Sequence, residues 1–487
     1  VSEATVQSNP ATAHRAGDDA GTYPSSVVER YLSRKVHGTG MVFESIFRLD
    51  SAPEIEPLRQ AWLQTVQRHR RLRSTLSGTG RHQHWQLTEI RIPRCFAVSD
   101  APLTDRSGGL PLPNVRDGVG GVLTVSRCQT RPGIRFQFHH GACDGIGAAR
   151  IVGDFFAALH GHSRTPTSQH EPPTADDDDG TTAAAAETTS ESDGGGSSAG
   201  DATGTVTLPD FRNTWKTIRG RNVRFAPHVV RQVRKASSEP IEFDHGEFAR
   251  DTLLLELDTL TSANLRRWLR TKKLPLNDFA VAAVSLALAE HSSSVAGRRM
   301  HVMVVNPVQM RSWQQRRCSA NHLGFAFIRR RHADLDSANP ASVEQAIDSI
   351  HQELHSVRSL GIAGELMWGI GQVERIPGVL PVMERTGWFS PTASVTSLSS
   401  VRYARRYGFA GGPKVGDADI LRFSMAAPLQ HDGQLAVTVW DVAGTIGLSF
   451  RVAQAETDWL AAANAVADSI RKLSGAVSSS VLQPATV

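Results

Sequence analysis

Cysteine is scarce in this chain. The four thiols, at Cys95, Cys128, Cys143 and Cys318, form no CxxC pair. Their number and spread argue against a disulfide framework or a zinc site and fit reduced thiols in a cytoplasmic protein. Long apolar runs are lacking too: nothing reaches the roughly 20 residues that a membrane-spanning helix needs. No basic stretch followed by an apolar one stands near the first residues, so no secretory signal is read there. Charge of one sign is also in short supply. A formal net charge of +5 over 487 residues is too weak to argue for nucleic acid. Two catalytic signatures are missing as well, the Gly-x-Ser-x-Gly elbow and the phosphate-binding P-loop. What remains is an apolar content of 40%, ordinary for a soluble protein. The length suits two or three domains, or one large pseudo-symmetric unit.

The polar residues are unevenly placed. Residues 1–22 are rich in Ala, Ser and Asp and read as a disordered leader. Residues 161–204 are of low complexity, with runs at Asp176–Asp179, Ala183–Ala186 and Gly194–Gly196. Such a segment buries too little apolar surface to order itself, so it reads as a disordered insert. A basic connector over 205–245 carries Arg212, Lys216, Arg219, Arg221, Arg224, Arg231, Arg234 and Lys235. It reads either as a solvated, partly helical connector or as a docking surface for an anionic cofactor, lipid or partner. Residues 476–487 form a tail.

The two flanking stretches, 23–160 and 246–475, each read as mixed α and β. In the first, Met41–Leu49 looks like a strand. Leu58, Ala61, Trp62, Thr65 and Val66 recur at helical spacing. Two strands, 121–128 and 133–138, flank the turn Arg131-Pro132-Gly133. A helix then presents Ala148, Ile151, Val152, Phe155, Phe156 and Leu159. In the second stretch, strands are expected over 252–257, 301–305 and 323–328. Helices are marked by Leu265, Trp268 and Leu269, and over 343–357. Phe279–Ala289 is apolar nearly all round and predicts a buried helix. Segments 423–427, 435–440 and 446–452 read as a late antiparallel meander, and an amphipathic helix through Trp459, Ala463, Val466, Ile470 and Leu473 closes the pattern. The fold class is α/β with mixed sheets, as two layered units side by side.

The chemistry concentrates in Phe136-Gln137-Phe138-His139-His140-Gly141-Ala142-Cys143-Asp144-Gly145. Side chains of a strand alternate faces, so His140 continues the apolar face of Ile134, Phe136 and Phe138. His139 continues the polar face of Arg135 and Gln137 and reads as structural, through ring hydrogen bonds. His140 is thus the candidate general base, able to take a proton from a hydroxyl or amine attacking a carbonyl. Asp144 stands where the next helix begins: it is either a helix N-cap or an orienter of the loop paired with an arginine. Gly141 and Gly145 allow close backbone approach.

HHxxxDG after a strand resembles the signature of the CoA-dependent acyltransferase superfamily. That superfamily includes chloramphenicol acetyltransferase, the condensation domains of peptide synthetases and the wax ester synthase/diacylglycerol acyltransferases. The resemblance runs from about Tyr23 to Leu473, the insert excepted. Arg68-His69-Arg70-Arg71-Leu72-Arg73 is similar to the RHxxLR segment of condensation domains. Asn277-Asp278 and Pro307-Val308-Gln309-Met310-Arg311, followed by Asn321, resemble segments of the wax ester synthase branch. The resemblance implies two chloramphenicol-acetyltransferase-like halves in a V, with a tunnel at their interface and the second histidine at its middle. It implies His140 as base and Asp144 as partner of an arginine, with Arg68, Arg73 and Arg311 as candidates. His139, Gly145, Asn277 and Asn321 would be supporting residues.

The implied reaction is acyl transfer from a thioester to a hydroxyl or amine acceptor, with acyl-CoA or an acyl-carrier thioester as co-substrate and no bound cofactor or metal. An acyl carrier protein is a further candidate partner. Nucleic acid is not expected as a partner, nor a transmembrane segment, and peripheral membrane contact stays open. Two departures stand out. The DFGWG motif of the plant branch is absent. Where relatives often carry Ser-Asn-x-Gly, this chain has Ser397-Leu398-Ser399-Ser400-Val401. No carrier or adenylation domain is recognisable, which favours a free-standing acyltransferase over carrier-dependent amide condensation. The altered segment motivates a third reading, a degenerate member that binds an acylated partner without turnover.

Other groupings read as structural. His351 and His355 are one helical turn apart and read as a surface helix face, since the metalloprotease pattern needs Glu directly after the first His. Cys143 reads as a small buried residue. His69 and His322 read as structural or supporting.

Overall fold

The computed structural model describes residues 22–34, 41–90, 92–103, 110–161, 248–293, 301–311, 318–385, 391–399, 414–429, 435–442, 444–453 and 457–480. The expected leader, insert and basic connector lie almost wholly outside the described residues.

Fifteen described strands follow in chain order. They are β1 (Thr22–Pro24), β2 (Val42–Leu49), β3 (Ser74–Ser77), β4 (His84–Leu87), β5 (Phe96–Ser99), β6 (Gly121–Ser126), β7 (Gly133–His139) and β8 (Phe248–Glu256). After them come β9 (His301–Gln309), β10 (Leu323–Arg331), β11 (Ala393–Ser399), β12 (Lys414–Val415), β13 (Ala418–Ala426), β14 (Leu435–Val442) and β15 (Thr445–Ala453). One six-stranded sheet has the order β12-β13-β2-β7-β6-β5 and the other β10-β9-β11-β14-β15-β8; β1, β4 and β3 form a small third sheet. Both large sheets are mixed: β5 runs parallel to β6, and β11 runs parallel to β9 and β14. The expected α/β class with mixed sheets is what the chain adopts.

The helices are α1 (Val27–Arg34), α2 (Ile55–Arg68), α3 (Ile92–Cys95), α4 (Gly145–Leu159), α5 (Thr259–Thr271), α6 (Leu276–Ser293), α7 (Pro340–Ser359), α8 (Ile362–Val373), α9 (Val379–Arg385) and α10 (Thr457–Ser480). Helix α2 buries Leu58, Ala61, Trp62, Thr65 and Val66, the stripe its periodicity calls for. Its Trp62 packs with Phe136, Phe138 and Phe155, and its indole N–H donates to the Cys95 carbonyl at 2.7 Å. The first core therefore sits between α2, α4 and one face of the first sheet. In the second half α6 is buried from Phe279 to Ala289, as its all-round apolar sequence requires, and α7 and α10 pack on it. Helix α7 opens with Asn339 capping the Ala341 N–H at 3.0 Å and Pro340 in the first turn, a favoured N-terminal combination. Helix α10 runs on to Ser480, past the expected boundary at 475.

One expectation needs correction. The late meander does not form as read: only β14 and β15 pair with each other, and β13 crosses to the first sheet, antiparallel to β2. Phe423 lies opposite Phe47 there, with ring centroids 5.0 Å apart. Alternation fixes which face a strand buries but not its neighbour, so this partner was not legible locally. The polar face of β7 is as buried as its apolar face. Gln137 donates to Glu44 at 3.2 Å, and Arg451 from β15 pairs with Glu44 while donating to the Val42 carbonyl at 2.8 Å. Charge pairing covers that face, because an unpaired buried ion is costly.

Candidate active site

Strand β7 ends at His139, and five residues, His140 to Asp144, lead to α4. The loop is fixed from within. His139 is buried, its Nδ1 accepts the Gly141 backbone N–H at 3.0 Å, and Nε2 therefore carries the proton. Burial, with lesser contributions from His140 and Arg116, holds its pKa down to about 3.

Asp144 fills both roles the sequence left open. As N-cap of α4 it accepts the Gly147 N–H at 2.7 Å. It also accepts two parallel bonds from Arg311, each 2.7 Å, and the His322 backbone N–H at 2.9 Å. Burial raises the Asp144 pKa, but Arg311 and the donated hydrogen bonds outweigh it and leave the group below its ordinary value. Of the three candidate arginines, Arg311 is the partner. Arg68 lies 3.7 Å from Asp154 instead, and Arg73 has a buried Nε without a hydrogen-bond partner among the described residues.

Arg311 also gathers the segment before β10, donating to the Ala320 carbonyl at 2.6 Å and more weakly to that of Cys318 at 3.4 Å. That brings Asn321 to His140: its Nδ2 donates to the His140 carbonyl at 2.7 Å and lies 3.3 Å from His140 Nδ1. The His140 backbone N–H donates to Met41 at 2.7 Å, and its ring packs on Phe43 with centroids 5.2 Å apart. Burial lowers the His140 pKa, opposed by its own backbone carbonyl and by Asp144. The ring is neutral near pH 7 and keeps some exposed surface. Nδ1 stands between two neighbours, its own carbonyl and the Asn321 amide; a proton on Nδ1, turned to the carbonyl, would leave Nε2 as the basic nitrogen.

The remaining candidates fall outside this cluster or at its edge. Asn277 exchanges hydrogen bonds with Asn306 at 3.0 and 3.1 Å, beside an Asp278 gripped by Arg358 and His351. His351, 29% exposed, also reaches that buried carboxylate, and His355 is exposed, so the pair lies on a helix face open to solvent. Gly145 faces Leu398 of β11: a Cβ there would meet the Leu398 side chain at 3.3 Å. The altered segment therefore touches the motif loop, although Ser400 and Val401 lie outside the described residues. Cys143 is fully buried with its pKa well above the ordinary thiol value, chiefly by burial, so it stays a thiol.

Two residues at the site were missed from sequence. Gly147 abuts Ser319: a Cβ at Gly147 would come within 2.2 Å of the Ser319 carbonyl oxygen. The Gly145-Ile146-Gly147 opening of α4 was the available signal.

No family model matches the chain, and no curated protein matches it. Solved structures do share its fold. Trichothecene 15-O-acetyltransferase from Fusarium sporotrichioides is 12% identical, with a TM-score of 0.62 over 92% of this chain and 95% of that one. Polyketide synthase associated protein 5 from Mycobacterium tuberculosis is 15% identical, with a TM-score of 0.57 over 94% and 98%. A starter condensation domain of rhizomide synthetase, solved with C8-CoA and Leu-SNAC, is 12% identical, with a TM-score of 0.55 over 93% and 94%. The chain thus has the fold of acyltransferases and condensation domains along nearly its whole length. Among the described residues no helix is long and apolar enough to cross a membrane.

Proposed function

We propose that this protein transfers an acyl group from a thioester, acyl-CoA in the first instance, to a hydroxyl or amine. The observation that carries the reading is the HHxxxDG loop, with Asp144 locked to Arg311 and a neutral His140 held through Asn321. The acetyltransferase and the CoA-bound condensation domain that share the fold support the same reaction class.

In this reading His140 Nε2 takes the proton of the acceptor as its oxygen or nitrogen attacks the thioester carbonyl. The tetrahedral intermediate collapses, the C–S bond breaks, and His140 returns the proton to the departing thiolate. Asp144 and Arg311 do not touch the reacting atoms. They hold the loop and the Asn321 segment so that His140 keeps one tautomer and one position. The two substrates would meet in a passage between the halves. The buried Nε2 atoms of His139 and His322, unpartnered among the described residues, are atoms that water or substrate would satisfy.

The test is a panel of acyl-CoAs of graded length against alcohol and amine acceptors, with free CoA and acylated product followed by mass spectrometry. Release of CoA matched by acylated acceptor supports the reading. Turnover only with carrier-bound thioesters would shift the donor to a carrier protein. Thioester binding without turnover would support a non-catalytic role.

A further inference from the structure

A second histidine lies between a carboxylate and a hydroxyl. His69 closes the C-terminal end of α2, Asp154 lies within α4, and Ser319 sits on the segment that precedes β10. His69 Nε2 is 3.0 Å from Asp154 Oδ2, and His69 Nδ1 is 3.0 Å from Ser319 Oγ. His69 and Asp154 are each 7% exposed, and Ser319 is half-buried. Ser319 is therefore the most exposed of the three residues.

The direction of those hydrogen bonds follows from the charges. Burial raises the Asp154 carboxyl, but His69, Arg68 and Arg150 outweigh it and keep it ionised near neutral pH. An ionised carboxylate only accepts, so Nε2 of His69 carries the proton. Burial lowers the His69 pKa despite the pull of Asp154, leaving the ring neutral and Nδ1 an acceptor. The Ser319 O–H must then donate to His69, and its oxygen lone pairs are left free. A hydroxyl on a base, with the base oriented by a carboxylate, is the general arrangement of an activated nucleophile. Here the two ring nitrogens are used in the reverse of the usual order, which leaves the proton relay intact. Nothing in the His140 reaction uses these three groups.

We propose that Ser319, His69 and Asp154 form a second reactive centre, in which Ser319 accepts an acyl group from an activated ester or thioester. In the step, the Ser319 Oγ–C bond forms as the Oγ proton passes to His69 Nδ1. The bond from the acyl carbon to the leaving oxygen or sulfur then breaks, and His69 Nδ1 delivers the proton to the leaving group. Asp154 stays ionised and stabilises the charged ring meanwhile. That the donor in the cell is a thioester rests on the function proposed above; the reactivity of Ser319 does not.

The experiment uses the full chain with an alkyl fluorophosphonate and, separately, p-nitrophenyl acetate, with the adduct located by tandem mass spectrometry. The expected adduct is on Ser319. It is absent from Ser319→Ala, and His69→Gln slows its formation by about 100-fold or more. Circular dichroism of each variant separates lost reactivity from lost folding. An unlabelled wild-type protein, an adduct on another residue, or a Ser319→Ala variant labelled at the wild-type rate overturns the proposal and leaves Ser319 a tether. Neither probe needs acyl-CoA or an acceptor, so failure here does not bear on His140, and failure of acyl transfer does not bear on Ser319.

Discussion

Arg311 holds Asp144 by both guanidinium nitrogens, and neither side chain has any solvent exposure. The two are 167 residues apart, on either side of the basic connector, so one ion pair joins the histidine loop to the segment bearing Asn321. Desolvating such a pair is costly, and its retention fits a positioning role more than a gain in stability.

Removing one partner should therefore cost more than a surface pair would. Asp144→Ala strands a buried guanidinium and deletes the α4 cap, and about 3–5 kcal/mol of unfolding free energy should be lost. Urea unfolding at pH 7 measures it. The folded pKa of Asp144 is depressed, so its contribution is fully present above the unfolded value of about 3.9. It is lost as pH falls through the lower folded value. The gap between wild type and variant should be constant above about pH 5 and shrink below about pH 4.

The pH dependence of transfer carries a different sign. His140 must be neutral to act as base, and burial lowers its pKa. Its acid limb in kcat/KM should fall below the ordinary histidine value of about 6.5, with a plateau through neutral pH. A limb centred above that value would contradict the environment described for the ring.

Gly147 offers a test of positioning without touching an ionisable group. Its Cβ would collide with the Ser319 carbonyl, so Gly147→Ala must push the Asn321 segment away from His140. Displacements of about 1 Å at such sites cost on the order of 100-fold in rate. The expected result is a large drop in kcat with a modest change in melting temperature, read by steady-state kinetics and calorimetry on the same preparation.

Trp62 tests the core beneath the motif strand. It is 0% exposed and packs on Phe136 and Phe138 of β7. Trp62→Ala should cost about 3–5 kcal/mol by chemical denaturation, and Trp62→Phe less, because a ring still fills most of the space.

Periodicity located β2, α2, the β6–β7 hairpin, α4 and the buried α6, because each carries its own apolar pattern. The alternation along β7 also separated His139 from His140. What periodicity does not carry is long-range pairing. It could not show that β13 would join β2, that Arg451 would reach Glu44, or that Arg311 rather than Arg68 or Arg73 would meet Asp144. Nothing in the local sequence singles out one of the three arginines, and only the folded chain brings one of them to the carboxylate. His69 reads from sequence as structural or supporting, and its partners, Asp154 and Ser319, lie 85 and 250 residues away, beyond the reach of any local pattern.

The most direct measurement of the central claim compares wild type with His140→Ala, using an acyl-CoA and acceptor pair that the wild-type enzyme turns over. Loss of the base should lower kcat by about 100-fold to 10,000-fold, with the fold intact by circular dichroism and the KM for acyl-CoA little changed. Wild-type turnover by the alanine variant would contradict the account, since the acceptor's proton would then have to go to a group other than His140.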